Sequence, residues 1–225
     1  MPRLSLLHVA PLTLLALAGC QTGARVVVPD LPSDSIFVGR PARPEPEVKL
    51  TKAPQPRASG SVPRSWVPGV YERPWRWIVI HHSASDAGSA EIFDRSHRAR
   101  GWDELGYHFV ITNGNGGRDG EVQVGSRWRK QKWGAHCGGT PNNDYNNYGV
   151  GVCLVGDFSE KLPSQAQLAS LKKLVTFLAG RYAIDPLYVI SHRDSPNAAT
   201  ACPGDVLHRH VRTDLRPSLR QMVSR

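Results

Sequence analysis

A break in composition near Trp66 decides how much of this chain can build a core. From Gln21 to about residue 65 the chain is rich in Pro, Ser, Ala and alternating charge, as in Arg40-Pro41-Ala42-Arg43-Pro44-Glu45-Pro46-Glu47. Such a segment cannot bury enough apolar surface to offset its ordering entropy, so residues 21–65 are predicted to be a semi-extended linker. Aromatic and apolar residues set in at Trp66, and about 160 residues remain, enough for one ordinary core. No internal repeat divides them, which predicts a single domain over 66–225.

Before the linker stands Arg3, then an apolar run from Leu4 to Leu17 interrupted by His8 and Pro11, then Ala18 and Gly19 before Cys20. A membrane-spanning helix needs about 20 apolar residues. The run is shorter, and residues 1–20 read as an export signal. The ending Leu17-Ala18-Gly19-Cys20 resembles a bacterial lipobox, which implies cleavage before Cys20 and a lipid on its thiol that holds the chain to a membrane. Gln21 is not acidic, and in lipoproteins of this kind that implies the periplasmic face of the outer membrane.

The formal net charge is +9, and loss of residues 1–20 removes only Arg3. A basic exported protein meets anionic lipid or an anionic polymer rather than nucleic acid, and no nucleic-acid motif is present. Cell wall, with its peptide carboxylates, is the acidic partner that fits. The local excess at Arg127, Arg129, Lys130 and Lys132 reads as a solvated face.

Within the domain, Trp77–Ile80 is a strand by its β-branched content, and Ser89 caps a helix over 90–100 that Gly101 closes. Tyr107–Thr112 and Glu121–Val124 read as strands joined by a Gly-rich turn over 113–120, and Val150–Val155 is a nearly all-apolar strand. Gln165–Tyr182 places Leu168, Leu171, Leu174, Val175 and Leu178 at helical spacing behind a Ser164 cap. A short strand over Leu187–Ile190 runs into His192, and a helix over 203–220 closes the domain. Strands alternating with helices predict an α/β fold with a central mixed sheet flanked by helices.

His81 and His192 each end a predicted strand, and Cys202 follows ten residues after His192 in a loop. Zinc takes imidazole nitrogen and thiolate sulfur, and three protein ligands leave the fourth tetrahedral position open. Spacing alone does not join ligands on separate segments, and a single histidine is more often a hydrogen-bonded core or surface residue. What singles out these two is their place at the ends of apolar strands, where α/β sheets put functional loops.

Four segments carry a resemblance. Ile78-Val79-Ile80-His81-His82-Ser83, Gly106-Tyr107-His108-Phe109-Val110-Ile111, Gly149-Val150-Gly151-Val152-Cys153-Leu154-Val155-Gly156, and His192-Arg193-Asp194 with Thr200-Ala201-Cys202-Pro203-Gly204 resemble, in order, the motifs of the type-2 N-acetylmuramoyl-L-alanine amidase family. That family includes phage lysozyme-type amidases and the peptidoglycan recognition proteins, and the resemblance runs from about Trp75 to Leu207. It implies an amidase-2-like domain that hydrolyses the amide between N-acetylmuramic acid and L-alanine in peptidoglycan or muropeptides. It also implies one zinc ion per domain on His81, His192 and Cys202. The domain is expected to be a monomer. The alternative is a peptidoglycan-binding lipoprotein without catalysis, as in recognition proteins that have lost a ligand. Here all three ligand positions are filled.

The resemblance assigns further roles. Neighbours on a strand point to opposite faces, so only one of Tyr107 and His108 can line the site. The family pattern puts Tyr107 there, to orient or deprotonate the attacking water. Thr200 stands where family members carry Lys or Thr for the developing oxyanion; its plain alternative is a loop hydroxyl bonded to backbone. His136, in Trp133-Gly134-Ala135-His136, matches a histidine near the substrate and is assigned to binding or oxyanion support. Cys153 stands where some cytoplasmic members have a glutamate base, which shifts proton handling to Tyr107. Asp194 is either a support for His192 or a turn former. Cys137 and Cys153 either pair or remain separate buried thiols.

Overall fold

Alternating small and large residues on one strand separate the two faces of the sheet on which the domain is built. The computed structural model describes residues 62–223; the export segment, Cys20 and most of the proposed linker lie outside them. Strands β1 (Trp77–His82), β2 (Phe109–Ile111), β3 (Val122–Val124), β4 (Gly149–Leu154) and β5 (Val189–Ser191) form one mixed sheet in the order β3-β2-β4-β1-β5. β3 pairs antiparallel with β2, and the other pairs are parallel. The helices are α1 (Ala90–Ala99), α2 (Ser126–Lys130), α3 (Asp144–Asn147), α4 (Gln165–Tyr182), α5 (Asp205–His210) and α6 (Arg216–Val223), with a π turn over Val211–Leu215 joining the last two. This is the α/β fold expected, and among the described residues no helix is long and apolar enough to cross a membrane.

β4 reads Gly149-Val150-Gly151-Val152-Cys153-Leu154. Val150, Val152 and Leu154 share the main core with Ile78, Ile80, Phe109 and Ile111, and α4 covers them with Leu171, Leu174 and Leu178. The opposite face carries Val79, Val110, Cys153 and Ile190 in smaller clusters, with bare glycine backbone between them. α4 starts where expected because Ser164 Oγ accepts from Gln167 N at 3.0 Å while Gln167 Oε1 accepts from Ser164 N at 3.3 Å, a reciprocal cap. Gln167 Nε2 also donates to Ile111 O and Val155 O, fastening the helix start to the sheet. Ser89 caps α1 by accepting from Ile92 N at 3.1 Å.

Several expectations shift. Residues 186–188 form a 3-10 turn rather than strand, because Pro186 offers no N–H and Asp185 Oδ1 accepts from Leu187 N at 2.7 Å. β2 begins at Phe109, leaving Tyr107 and His108 on its approach. The last helix begins at Asp205, after Pro203 and a Gly204 with φ of 88°. Arg127 is not a solvated residue: it is 1% exposed and donates to Leu105 O at 2.6 Å, to Trp133 O at 2.7 Å and to Asp103. Cys137 and Cys153 are free thiols, so neither crosslinks the fold.

Residues ahead of β1 also belong to the core. Trp66, at the end of a 3-10 turn over Arg64–Trp66, is buried, and its carbonyl accepts from Trp128 Nε1 at 2.9 Å. Glu72 is buried against α4, where its carboxylate accepts from Arg181 Nε at 2.8 Å, from Arg181 Nη2 at 2.5 Å and from the Tyr182 hydroxyl.

Candidate metal centre

Register brings two distant histidines together. In the β1–β5 ladder Ile80 lies opposite Ser191, so His81 and His192 leave adjacent parallel strands side by side, with ring centroids 4.6 Å apart. Cys202 returns to the same spot through a loop whose Cys202 O accepts from Arg193 N at 3.0 Å. Its sulfur accepts from His82 N at 3.4 Å and lies 3.7 Å from His81 Nδ1. The ligand atoms of His81, His192 and Cys202 all lie within 4.8 Å of one another. Tetrahedral zinc with ordinary Zn–N and Zn–S lengths separates a nitrogen from a sulfur by about 3.6 Å. The His81–Cys202 spacing therefore fits without rearrangement, and the donor set is the one zinc prefers.

Strand alternation decides the histidine pair. His81 is buried on the glycine-bearing face, whereas His82 turns away: its Nδ1 accepts from Phe158 N at 3.4 Å and sits 3.7 Å from Asp157. The same rule separates Tyr107 from His108. His108 is a core residue, with Nδ1 accepting from Gly151 N at 3.0 Å, Nε2 donating to Lys132 O at 3.0 Å and its ring edge-on to Trp75 at 4.8 Å. The Tyr107 ring lies 5.2 Å from that of His81. Burial pushes its phenol well above the usual range, and the neighbouring Cys153 and Cys202 sulfurs push the same way. The turn before it is held by Gly106 N donating to His97 Nδ1 at 2.9 Å.

Thr200 Oγ1 accepts from Cys202 N at 3.1 Å, the backbone contact of its plain reading, and a hydroxyl that accepts still has a proton to donate. Asp194 closes the turn after β5 by accepting from Ser191 N at 3.0 Å, and lies 3.6 Å from Arg216. Its observed bonds are those of the turn former. His136 is 7% exposed and sits beneath His81 rather than at the surface of the site, its Nδ1 3.1 Å from His81 Nε2. His81, His136 and Cys137 form a second close group that shares the His81 ring. Sequence reading missed what seats His136: the bare backbone of Gly134 and Gly151, and Asn146, whose Oδ1 accepts from His136 N at 2.7 Å and Cys137 N at 2.9 Å. Glycine inside a strand, at Gly151, was the available signal, since it marks close approach of another group.

Two buried histidines beside the centre set an acid limit on the fold. Burial lowers His108 to about 3 and His97 to about 4. Both are neutral when folded and take a proton near 6.5 when unfolded, so their stabilisation is complete above pH 6.5 and is lost as pH falls toward 4 and then 3. The slope of each rises from half to nearly the full value of about 1.4 kcal/mol per pH unit below about 6.5, so the two together are expected to lower stability by about 3 kcal/mol between pH 6.5 and 5. Urea midpoints of the metal-stripped protein across that interval check it; a flat profile would contradict the assignment.

A mixed α/β sheet that gathers two histidines and a cysteine at adjacent strand ends defines a domain built around one candidate zinc site. The chain belongs to the N-acetylmuramoyl-L-alanine amidase family (Amidase_2), whose model matches residues 71–205. The N-acetylmuramoyl-L-alanine amidase of Sus scrofa is 31% identical over 167 residues, which cover 68% of this chain and 26% of that protein. The chain thus spans about a quarter of the length of that relative. The endolysin of Enterobacteria phage K11 is 34% identical over 145 residues, covering 60% of this chain and 85% of the endolysin. Among solved structures, the N-acetylmuramoyl-L-alanine amidase LysC from Clostridium intestinale superposes with a TM-score of 0.54 at 26% identity, covering 65% of this chain and 86% of LysC.

Proposed function

We propose that this protein is a zinc-dependent N-acetylmuramoyl-L-alanine amidase that hydrolyses the amide between N-acetylmuramic acid and L-alanine in peptidoglycan or muropeptides. The observation that carries the reading is the convergence of His81, His192 and Cys202, with ligand atoms within 4.8 Å, in a chain of the amidase family. A zinc ion held there supplies a Lewis acid for the scissile carbonyl and makes water more acidic at its open position.

The chain's own groups supply orientation and proton control. Tyr107, its ring 5.2 Å from that of His81, is placed to orient the attacking water or take its proton. Thr200, with its oxygen taken by Cys202 N, turns its hydroxyl proton toward the developing oxyanion. Cys153 does not substitute for a carboxylate base, because burial raises its thiol well above the usual range.

Relatives named as peptidoglycan-recognition proteins, such as that of Holotrichia diomphalia at 28% identity, support a second reading, wall binding without catalysis. The two are separated by incubating the purified protein with muropeptides of defined structure, with and without a zinc chelator, and identifying products by mass. Release of a stem peptide beginning at L-alanine, abolished by chelation and restored by zinc, is expected. Binding without cleavage in a zinc-loaded preparation would leave wall recognition as the better reading.

A further inference from the structure

The ring of His136 is closely held beside the centre, and the proposed chemistry does not use it. It lies against the bare backbone of two glycines: a β-carbon at Gly134 would stand 2.3 Å from His136 Cδ2, and one at Gly151 2.4 Å from the same atom. Any side chain on either glycine would expel the ring. The backbone on either side is stapled by Asn146, which takes the N–H groups of His136 and Cys137 and donates to Cys137 O at 3.0 Å.

Both ring nitrogens of His136 have partners, and one partner settles the protonation of the other. Nε2 lies 3.2 Å from Gly149 O. A carbonyl oxygen only accepts, so His136 Nε2 carries a proton. In the neutral ring Nδ1 is then a bare acceptor, and it faces His81 Nε2 at 3.1 Å. Two bare nitrogens, or two protonated ones, cannot hold that distance favourably, so His81 Nε2 is the donor. His81 Nδ1 is thereby left with its lone pair, 3.7 Å from Cys202 Sγ, on the side where His192 and Cys202 converge. The alternative, an imidazolium at His136, would bury a charge and reverse the His81 proton, placing an N–H where a ligand lone pair is needed.

We propose that His136 is a positioning residue that sets the tautomer of a metal ligand: the chain Gly149 C=O, His136, His81 holds His81 Nδ1 bare and aimed at zinc. This rests on the zinc reading above and replaces the substrate-binding role suggested for His136 by resemblance. Ligating histidines elsewhere are commonly held by a carboxylate or a carbonyl, and loss of such a partner weakens metal affinity about 10–100-fold. Here a second imidazole carries the carbonyl's preference one ring further.

The test compares wild type, His136→Phe, which fills the glycine cradle without nitrogens, and His136→Asn, whose Oδ1 falls near the lost Nδ1 and can accept from His81. Zinc affinity is read by competition with a chromogenic chelator. His136→Phe is expected to bind zinc about 10–100-fold more weakly, and His136→Asn to recover most of that loss, which a merely space-filling role would not produce. In the metal-free wild type, long-range nitrogen–proton NMR is expected to show both His81 and His136 protonated at Nε2 and bare at Nδ1. Zinc affinity of His136→Phe within twofold of wild type, or a His136 ring protonated at Nδ1, would overturn the inference. A wild type that binds no zinc but shows these tautomers would instead defeat the zinc reading and leave the hydrogen-bond chain standing.

Discussion

Replacing Cys202 with Ser is expected to lower kcat/KM on muropeptide at least about a thousandfold while leaving the metal-free fold almost unchanged. The sulfur is the one soft donor of the set, 3.7 Å from His81 Nδ1, and a serine hydroxyl neither ionises at neutral pH nor matches zinc's preference. Metal catalysis supplies several kcal/mol of transition-state stabilisation, and about 4 kcal/mol corresponds to about a thousandfold in rate. Cys202 lies half-buried in a loop outside the core clusters, so stability without metal has little to lose. Zinc content after dialysis, kcat/KM and the melting temperature of the stripped protein together check this. Retention of kcat/KM within tenfold would remove Cys202 from the ligand set.

The largest loss of stability is expected far from the ligands, at Glu72. Its carboxylate is 1% exposed and answers Arg181, whose side chain is 3% exposed, together with the Tyr182 hydroxyl. Arg181 Nη1 already lacks a partner, so Glu72→Ala strands most of a buried guanidinium. Breaking a buried pair from one side costs about 3–5 kcal/mol. At about 2–4 °C per kcal/mol for a domain of this size, the melting temperature should drop by about 6–20 °C. Zinc affinity at low temperature should stay within about threefold of wild type, since Glu72 anchors the segment before β1 to α4 and not the strand ends that carry the ligands. A shift below 3 °C would mean that the pair contributes little beyond what solvent would provide.

Local chemistry was readable in α4, though not at residues 186–188, where Asp185 and Pro186 set a turn in place of the expected start of a strand. α4 follows its predicted bounds because Ser164 and Gln167 cap each other and the apolar residues keep a helical period. His82 and His108 fall away from the site because strand geometry sends neighbours to opposite faces. Joining His81 to Cys202 was beyond spacing, since 121 positions separate them and only the β1–β5 register closes the gap; resemblance to a family supplied the link. The place of His136 under His81 was unreadable for a similar reason, because it depends on Gly151 of β4, which reaches it only once the sheet is formed. Arg127 was misread because a basic cluster shows charge but not the carbonyls of Leu105 and Trp133 that fold around one member.

The parallel pairing of β1 with both β4 and β5 also joins the ends of the domain. Two of the three candidate ligands enter through the last strand and the loop beyond it, while the third sits on the first strand. Closing a gap of that length carries an entropic cost, and long-range parallel pairing is intrinsically slow. A metal held by His81, His192 and Cys202 would tie the opening and closing thirds of the domain together, opposing unfolding from either end.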